Sequence, residues 1–283
     1  MSICVIIPMH GFAEMTRKCI DYTIKNAGIQ HTILVVDDGS PEPFHDDRVN
    51  TIRLEKNLGF TGATNAGILW AMDRKYDYVL LLNNDTEPEP DFMRFLLEAL
   101  FKDSEIGVAG STRIIYDKEG DPLIENFGVD LISGYQAYTK DALDKDRVYV
   151  AWLPVCSALI PMEVIKYVGL LDKRMKTYCS DNDFCMRAQA LGYRIALVPD
   201  SKIKHFHQTT TKHLKLYNQA TLDQRVLLEK LSCSLQRQLL ETYPICWSEK
   251  TWGKLIFSVY KKEKDPVLLG KEEDDKLNQP VAA

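Results

Sequence analysis

Three short apolar runs constrain this chain more than any other feature: Ile3 to Ile7, Thr32 to Val36 and Tyr78 to Leu82. Each is too short for a helix, shows no regular polar alternation, and stops at a turn-forming or polar cluster. The stops are Pro8, Asp37-Asp38-Gly39-Ser40 and Asn83-Asn84-Asp85. Strands of this composition are buried on both faces. Helical patterns fall between them, from about Ala13 to Asn26, Thr61 to Met72 and Asp91 to Phe101, with a short strand at Thr51 to Leu54. Such alternation predicts an α/β fold with a mostly parallel sheet flanked by helices. Ligands of open α/β sheets bind beyond the carboxyl ends of the strands, which is where the polar clusters lie.

Beyond Gly107 the pattern is mixed. Strands are predicted at Arg113 to Tyr116, Val148 to Leu153, Ser157 to Ile160, Arg194 to Val198 and Lys202 to Phe206, with a helix from about Asp181 to Leu191. After His213 only helical patterns remain. Leu228, Leu231, Leu235 and Leu239 form one stripe, and Trp252, Leu255, Ile256 and Val259 form another within Ser248 to Tyr260. The expected organisation is one domain over 1–212 and a helical extension and tail over 213–283.

The 283 residues are 45% hydrophobic and 27% charged, which supplies a core without disulfides or a structural metal. A formal charge of −5 excludes an overall basic footprint for nucleic acid, so an anionic ligand needs local contacts. Seven cysteines, with no Cys-x-x-Cys pair, fit neither a disulfide framework nor a zinc ribbon and suggest a reducing compartment. The amino-terminal residues lack a basic and apolar leader pattern, and the apolar stretch Val148 to Met162 is interrupted by Pro154 and Pro161. A soluble, cytoplasmic protein is expected.

Each polar cluster admits a chemical and a structural role. Asp37 and Asp38 can accept from a nucleobase or ribose, or make turn hydrogen bonds. The loop from Asn57 to Asn65 lacks a P-loop ending and can present helix N–H groups to phosphate, or simply cap its helix. Asp85 closes the most apolar strand, where a carboxylate can bind a divalent cation or make an Asx turn. His205 and His207 share a strand face and are candidate metal ligands or surface residues. Ser180 and Asp183 fit a capping box, with Ser180 as N-cap, which leaves Asp181 in the first turn to project into a cleft.

In this order, from Ile3 to about His207, the motifs resemble the inverting family 2 glycosyltransferases of GT-A fold, rhamnosyltransferase-like enzymes among them. The resemblance rests on Val-Val-Asp-Asp-Gly-Ser at 35–40, Asn-Leu-Gly at 57–59, Asn65, Asn-Asn-Asp at 83–85 and Val-Gly-Leu-Leu-Asp at 168–172. It continues with Ser-Asp-Asn-Asp-Phe-Cys-Met-Arg at 180–187, Gly192-Tyr193, Val198-Pro199 and His205.

The resemblance implies transfer of a sugar from a nucleotide-diphosphate donor, of UDP or dTDP type, to a glycan or other hydroxyl acceptor. By position, Asp37 becomes the base-recognising acid, and Pro8, Asp38, Asn57, Gly59, Asn65 and Asn84 join the nucleotide pocket. Asp85 and His205 become ligands of Mn²⁺ or Mg²⁺, and Asp181 the catalytic base. Asn83 and Ser180 replace the first Asp of Asp-x-Asp and the Glu of Glu-Asp. Those two departures keep a non-catalytic nucleotide-sugar-binding homologue as an alternative. A sugar nucleotidyltransferase is disfavoured, because Pro8-Met9-His10-Gly11-Phe12 carries no Gly-rich, basic loop. The apolar C-terminal stripes suggest packing or a homodimer. Membrane attachment through the neighbouring lysines is disfavoured by the acidic run Glu272 to Asp275.

Overall fold

The computed structural model describes residues 1–116, 122–125, 148–150, 152–206 and 217–231. Its first half follows from the apolar runs. Strand β1 (Ile3–Met9) pairs in parallel with β2 (Thr32–Asp37) and β4 (Tyr78–Leu82), and β2 pairs in parallel with β3 (Asn50–Arg53). Side chains alternate between two cores, as the strand period requires. Cys4, Ile6, Leu34, Val36, Val79 and Leu81 face one core, where helix α2 (Gly59–Asp73) packs. Ile3, Val5, Ile7, Ile33, Val35, Leu80 and Leu82 face the other, beneath α1 (Ala13–Asn26) and α3 (Phe92–Lys102).

The second half departs from a parallel sheet. Strand β9 (Ser157–Pro161) inserts antiparallel between β4 and β6 (Ile106–Tyr116), and β10 (Arg194–His205) runs parallel to β6. Strand β5 (Thr86–Pro88) closes the far edge antiparallel to β10, giving the order β3-β2-β1-β4-β9-β6-β10-β5. Two short strands, β7 (Pro122–Glu125) and β8 (Val148–Tyr149), pair with β6 and β10. Helices α4 (Met162–Val168) and α5 (Ser180–Ala190) cover the α2 face, and α6 (Tyr217–Leu231) packs on α5.

Three local differences from the sequence reading have physical causes. The strand expected at Arg113 begins at Ile106, because Gly107 and Gly110 weaken the strand signal. Both glycines make room for neighbours: a Cβ on either would lie 2.7 Å from Tyr193 or 2.6 Å from Leu153. The two strands expected around Pro199 are one strand with a register shift between Val198 and Lys202, where proline cannot donate to the ladder. The strand expected from Val148 to Leu153 ends early, and Trp152 and Leu153 are buried in the core. The stripe at Leu235 and Leu239 and the helix expected from Ser248 to Tyr260 lie outside the described residues, as does His207. Among the described residues no helix is long and apolar enough to cross a membrane.

Candidate active site

A cavity of about 590 Å³ opens where β1, β2 and β4 end. Pro8, Met9, Asp38, Asn83, Asn84 and Asp85 form its floor at those strand ends. One wall comes from Asn57, Gly59, Phe60 and Ala63 at the start of α2, and another from Pro154 to Cys156. Thr177, Tyr178 and Asp181 close it from α5 and the residues before it, and His10, Arg113 and His205 complete the lining.

The two adjacent acids of the Asp37-Asp38 turn diverge, because successive side chains leaving a strand point to opposite faces. Asp38 lines the cavity and accepts from the N–H groups of Leu58 (2.7 Å) and Gly59 (2.9 Å). It thereby caps α2, whose own N-cap residue Leu58 offers no side-chain acceptor. Burial raises the Asp38 pKa despite these donors. Asp37 is fully buried and does not line the cavity. Its carboxylate accepts from the backbone N–H of Ser40 (2.8 Å) and Phe44 (3.2 Å) and pairs with Arg53. Burial alone would raise its pKa, but these donors outweigh it and hold the group below the usual carboxylate value. Asp37 is placed as the brace of the turn, one shell behind the cavity.

The start of α2 is not an open anion cradle. Its N–H groups at Leu58 and Gly59 hold Asp38, and that of Thr61 donates to the Lys176 carbonyl at 2.9 Å. The last contact depends on glycine. Gly59 has φ +78°, and a Cβ there would lie 2.7 Å from the Lys176 oxygen. Asn57 accepts from Gly59 N–H at 3.0 Å and lines the cavity. Asn65 does not line it. Its side-chain amide donates to the Leu171 carbonyl (2.8 Å) and accepts from the Leu171 N–H (3.0 Å), which pins the segment after α4 to α2. Asn84 lines the cavity and donates to Thr16 at 3.1 Å.

The two expected metal ligands meet through the sheet. In the antiparallel register His205 stands opposite Thr86, and the Phe206 N–H donates to the Asp85 carbonyl at 3.0 Å. This brings His205 Nε2 to 3.2 Å from Asp85 Oδ1, with both side chains nearly buried. Asn83 Oδ1 in the same floor is buried and accepts no hydrogen bond. Among the described residues, no group of three or more His, Cys, Asp and Glu side chains could hold a metal ion by itself. One carboxylate, one imidazole and one orphaned amide oxygen nevertheless suit a borderline divalent cation that also takes oxygen ligands from a phosphate.

Asp181 opens onto the cavity from the first turn of α5. The N-cap of α5 is Cys179, at φ 63°, so Ser180 is the first helical residue and not the cap expected from the sequence. Ser180 accepts from the Thr61 hydroxyl at 2.9 Å, and Asp183 is buried against Arg187 and Lys230. Asp181 Oδ1 accepts from the Asn182 N–H at 2.9 Å. Burial pushes its pKa up to about 6, partly countered by backbone N–H groups and by the Arg113 charge.

Arg113, His10, Phe60 and Tyr178 are cavity residues that the sequence reading did not single out. Arg113 left one visible signal: a charged residue inside an apolar strand, only 4% exposed. His10 follows β1, and its Nδ1 lies 2.9 Å from the Asp38 carbonyl oxygen.

A sequence profile described as Glycosyl transferase family 2 matches residues 4–144. This amino-terminal half of the chain belongs to that family. This glycosyltransferase is 26% identical to an undecaprenyl-phosphate mannosyltransferase of Micrococcus luteus, a match over 52% of the chain and 72% of that protein. It is 23% identical to the dTDP-rhamnosyl transferase RfbF of Shigella flexneri, over 56% of the chain and 52% of that protein. The match thus spans only about half the length of the rhamnosyl transferase. Among solved structures, the glycosyltransferase superposes on GalNAc-T7, crystallised with UDP, GalNAc and Mn²⁺, with a TM-score of 0.59 at 14% identity. That likeness covers 92% of this chain and 58% of GalNAc-T7. It superposes on residues 1–349 of TarS of S. aureus with a TM-score of 0.58 at 15% identity, over 90% of this chain and 74% of that one. The fold is therefore of the GT-A type.

Proposed function

We propose that this glycosyltransferase moves a sugar from a UDP- or dTDP-linked donor to a hydroxyl of a glycan or other acceptor, with inversion at the anomeric carbon. The observation that carries this reading is Asp181, a half-buried carboxylate sharing one cavity with the Asp85–His205 pair. A catalytic base works best when its pKa lies near the working pH, and burial brings Asp181 to about 6. Asp181 takes the proton of the acceptor hydroxyl as its oxygen bonds the anomeric carbon, while the bond from that carbon to the diphosphate oxygen breaks. The electron pair leaves with the nucleoside diphosphate, and no covalent nucleophile on the protein is required.

Asp85, His205 and Asn83 are the residues that would hold a divalent cation. When bound, such an ion supplies positive charge that offsets the charge gathering on the departing diphosphate. The nitrogen ligand favours Mn²⁺ over Mg²⁺. Pro8, Asp38, Asn57, Gly59 and Asn84 bound the nucleotide side, with Asp37 bracing the turn behind them. The UDP and Mn²⁺ of GalNAc-T7 and the dTDP-rhamnose activity in the name of RfbF support these donor and metal classes. The described cysteines are all free thiols, which supports a reducing cytoplasm.

Asp181→Asn tests the reading. Transfer falls by roughly 10²–10⁴, while calorimetric affinity for UDP or dTDP stays as in the wild type. Transfer within a few fold of wild type overturns Asp181 as the base. A wild type that binds nucleotide sugar and transfers nothing is the non-catalytic homologue suggested by Asn83 and Ser180.

A further inference from the structure

Asp223 lies on α6, outside the cavity, and is fully buried. Its carboxylate collects neutral donors: the backbone N–H groups of Lys176 (2.9 Å), Thr177 (2.8 Å) and Tyr178 (2.8 Å), and the Gln219 side-chain amide (2.7 Å). Consecutive N–H groups point to one side only when the backbone is curled, and a buried carboxylate is a strong acceptor for them. The same segment is gripped from its other side by α2, through the Thr61 N–H on the Lys176 carbonyl and the absent side chain of Gly59. Thr177 and Tyr178 line the cavity, and Cys179 then turns at φ 63° to start the helix that carries Asp181.

We infer that Asp223 is a positioning residue for sugar transfer: α6 fixes the 176–178 segment, and through it Asp181, as a working wall of the active site. The inference rests on the transferase reading above. It assigns to the region beyond residue 212 a part in catalysis as well as packing. A segment held only by α2 keeps its nucleotide-side contacts and loses its register with the acceptor.

The experiment uses the full chain and the variants Asp223→Ala and Asp223→Asn, with Leu222→Ala, an exposed neighbour on α6, as control. Loss of register costs roughly 10–100-fold in kcat for Asp223→Ala, with a smaller loss for Asp223→Asn, which keeps one acceptor oxygen. The KM for donor and the affinity for UDP or dTDP stay within about twofold, since a misplaced acceptor wall affects the transition state more than ground-state binding. Hydrogen exchange at residues 176–178 accelerates in the same variants, and Leu222→Ala matches the wild type in every measure. Unchanged kcat alongside faster exchange, or reduced kcat with unchanged exchange, overturns the proposal. Should Asp223→Ala fail to fold, Asp223→Asn decides on the same criteria. A wild type that transfers no sugar removes the transferase reading and this proposal together, whereas an active wild type with equally active variants removes only the proposal.

Discussion

At the residue scale, environment sets the roles of chemically equal carboxylates. Asp37 and Asp181 both end an apolar run or begin a helix, but Asp37 is fed by N–H donors and Arg53 whereas desolvation dominates at Asp181. The pH profile of kcat/KM is expected to fall on its acid side with a midpoint near 6, since Asp181 must be ionised to accept a proton. Arg113→Met removes a charge that favours the ionised form, so this midpoint moves to higher pH; a profile that stays put or moves down contradicts the electrostatic coupling. Asp37 has the opposite linkage. Its folded pKa lies below the unfolded 3.8, so its stabilisation is present above that value and is lost as pH falls through the folded one. Asp37→Asn should therefore cost about 1–3 kcal/mol in urea unfolding at neutral pH, and the gap to wild type should narrow below pH 3.8. Nucleotide affinity is expected to weaken only as far as the turn loosens, because Asp37 does not reach the cavity.

At the scale of elements, the helix starts are joined to one another. The start of α2 is capped by Asp38 from the neighbouring strand end, and Thr61 in its first turn reaches Ser180 at the start of α5. On the far side, Lys230 of α6 bridges Asp172 (2.9 Å) and the fully buried Asp183. Lys230→Met leaves Asp183 paired with Arg187 but removes one of its two cations. A loss of about 1–3 kcal/mol follows for an under-satisfied buried charge, read as a drop of roughly 2–4 °C in Tm per kcal/mol for a chain of this size. Transfer measured well below the melting range is expected to stay near wild type. A stability defect without a kinetic one separates Lys230 from Asp223 on the same helix.

At the scale of the whole molecule, the site exists because antiparallel strands close a sheet that begins parallel. Pairing of β5 with β10 places His205 beside Asp85, and insertion of β9 carries Cys156 to the cavity edge. Chelation is expected to abolish transfer and added Mn²⁺ to restore it. His205→Ala should raise the Mn²⁺ concentration needed for half-maximal activity by roughly 10-fold or more, as loss of a ligand-shell group does in other sites. Full turnover in chelator, or an unchanged Mn²⁺ titration, argues against the pair as a metal site.

The sequence by itself determined the strand–helix alternation and set Asp38 and Asp85 just after apolar strands and Asp181 in the first turn of a helix, whereas their meeting in one site was only implied by the family resemblance. The alternation and these placements are legible because apolar runs, their period and their polar stops are local properties of a chain. Only the tertiary structure decided that Asp37 turns away, that Asn65 binds Leu171, and that Arg113 enters the cavity. It alone also revealed the grip of Asp223 on the segment before α5. A side chain's role there depends on which distant N–H or C=O reaches it first, and that is settled by register and helix packing, which no local pattern encodes.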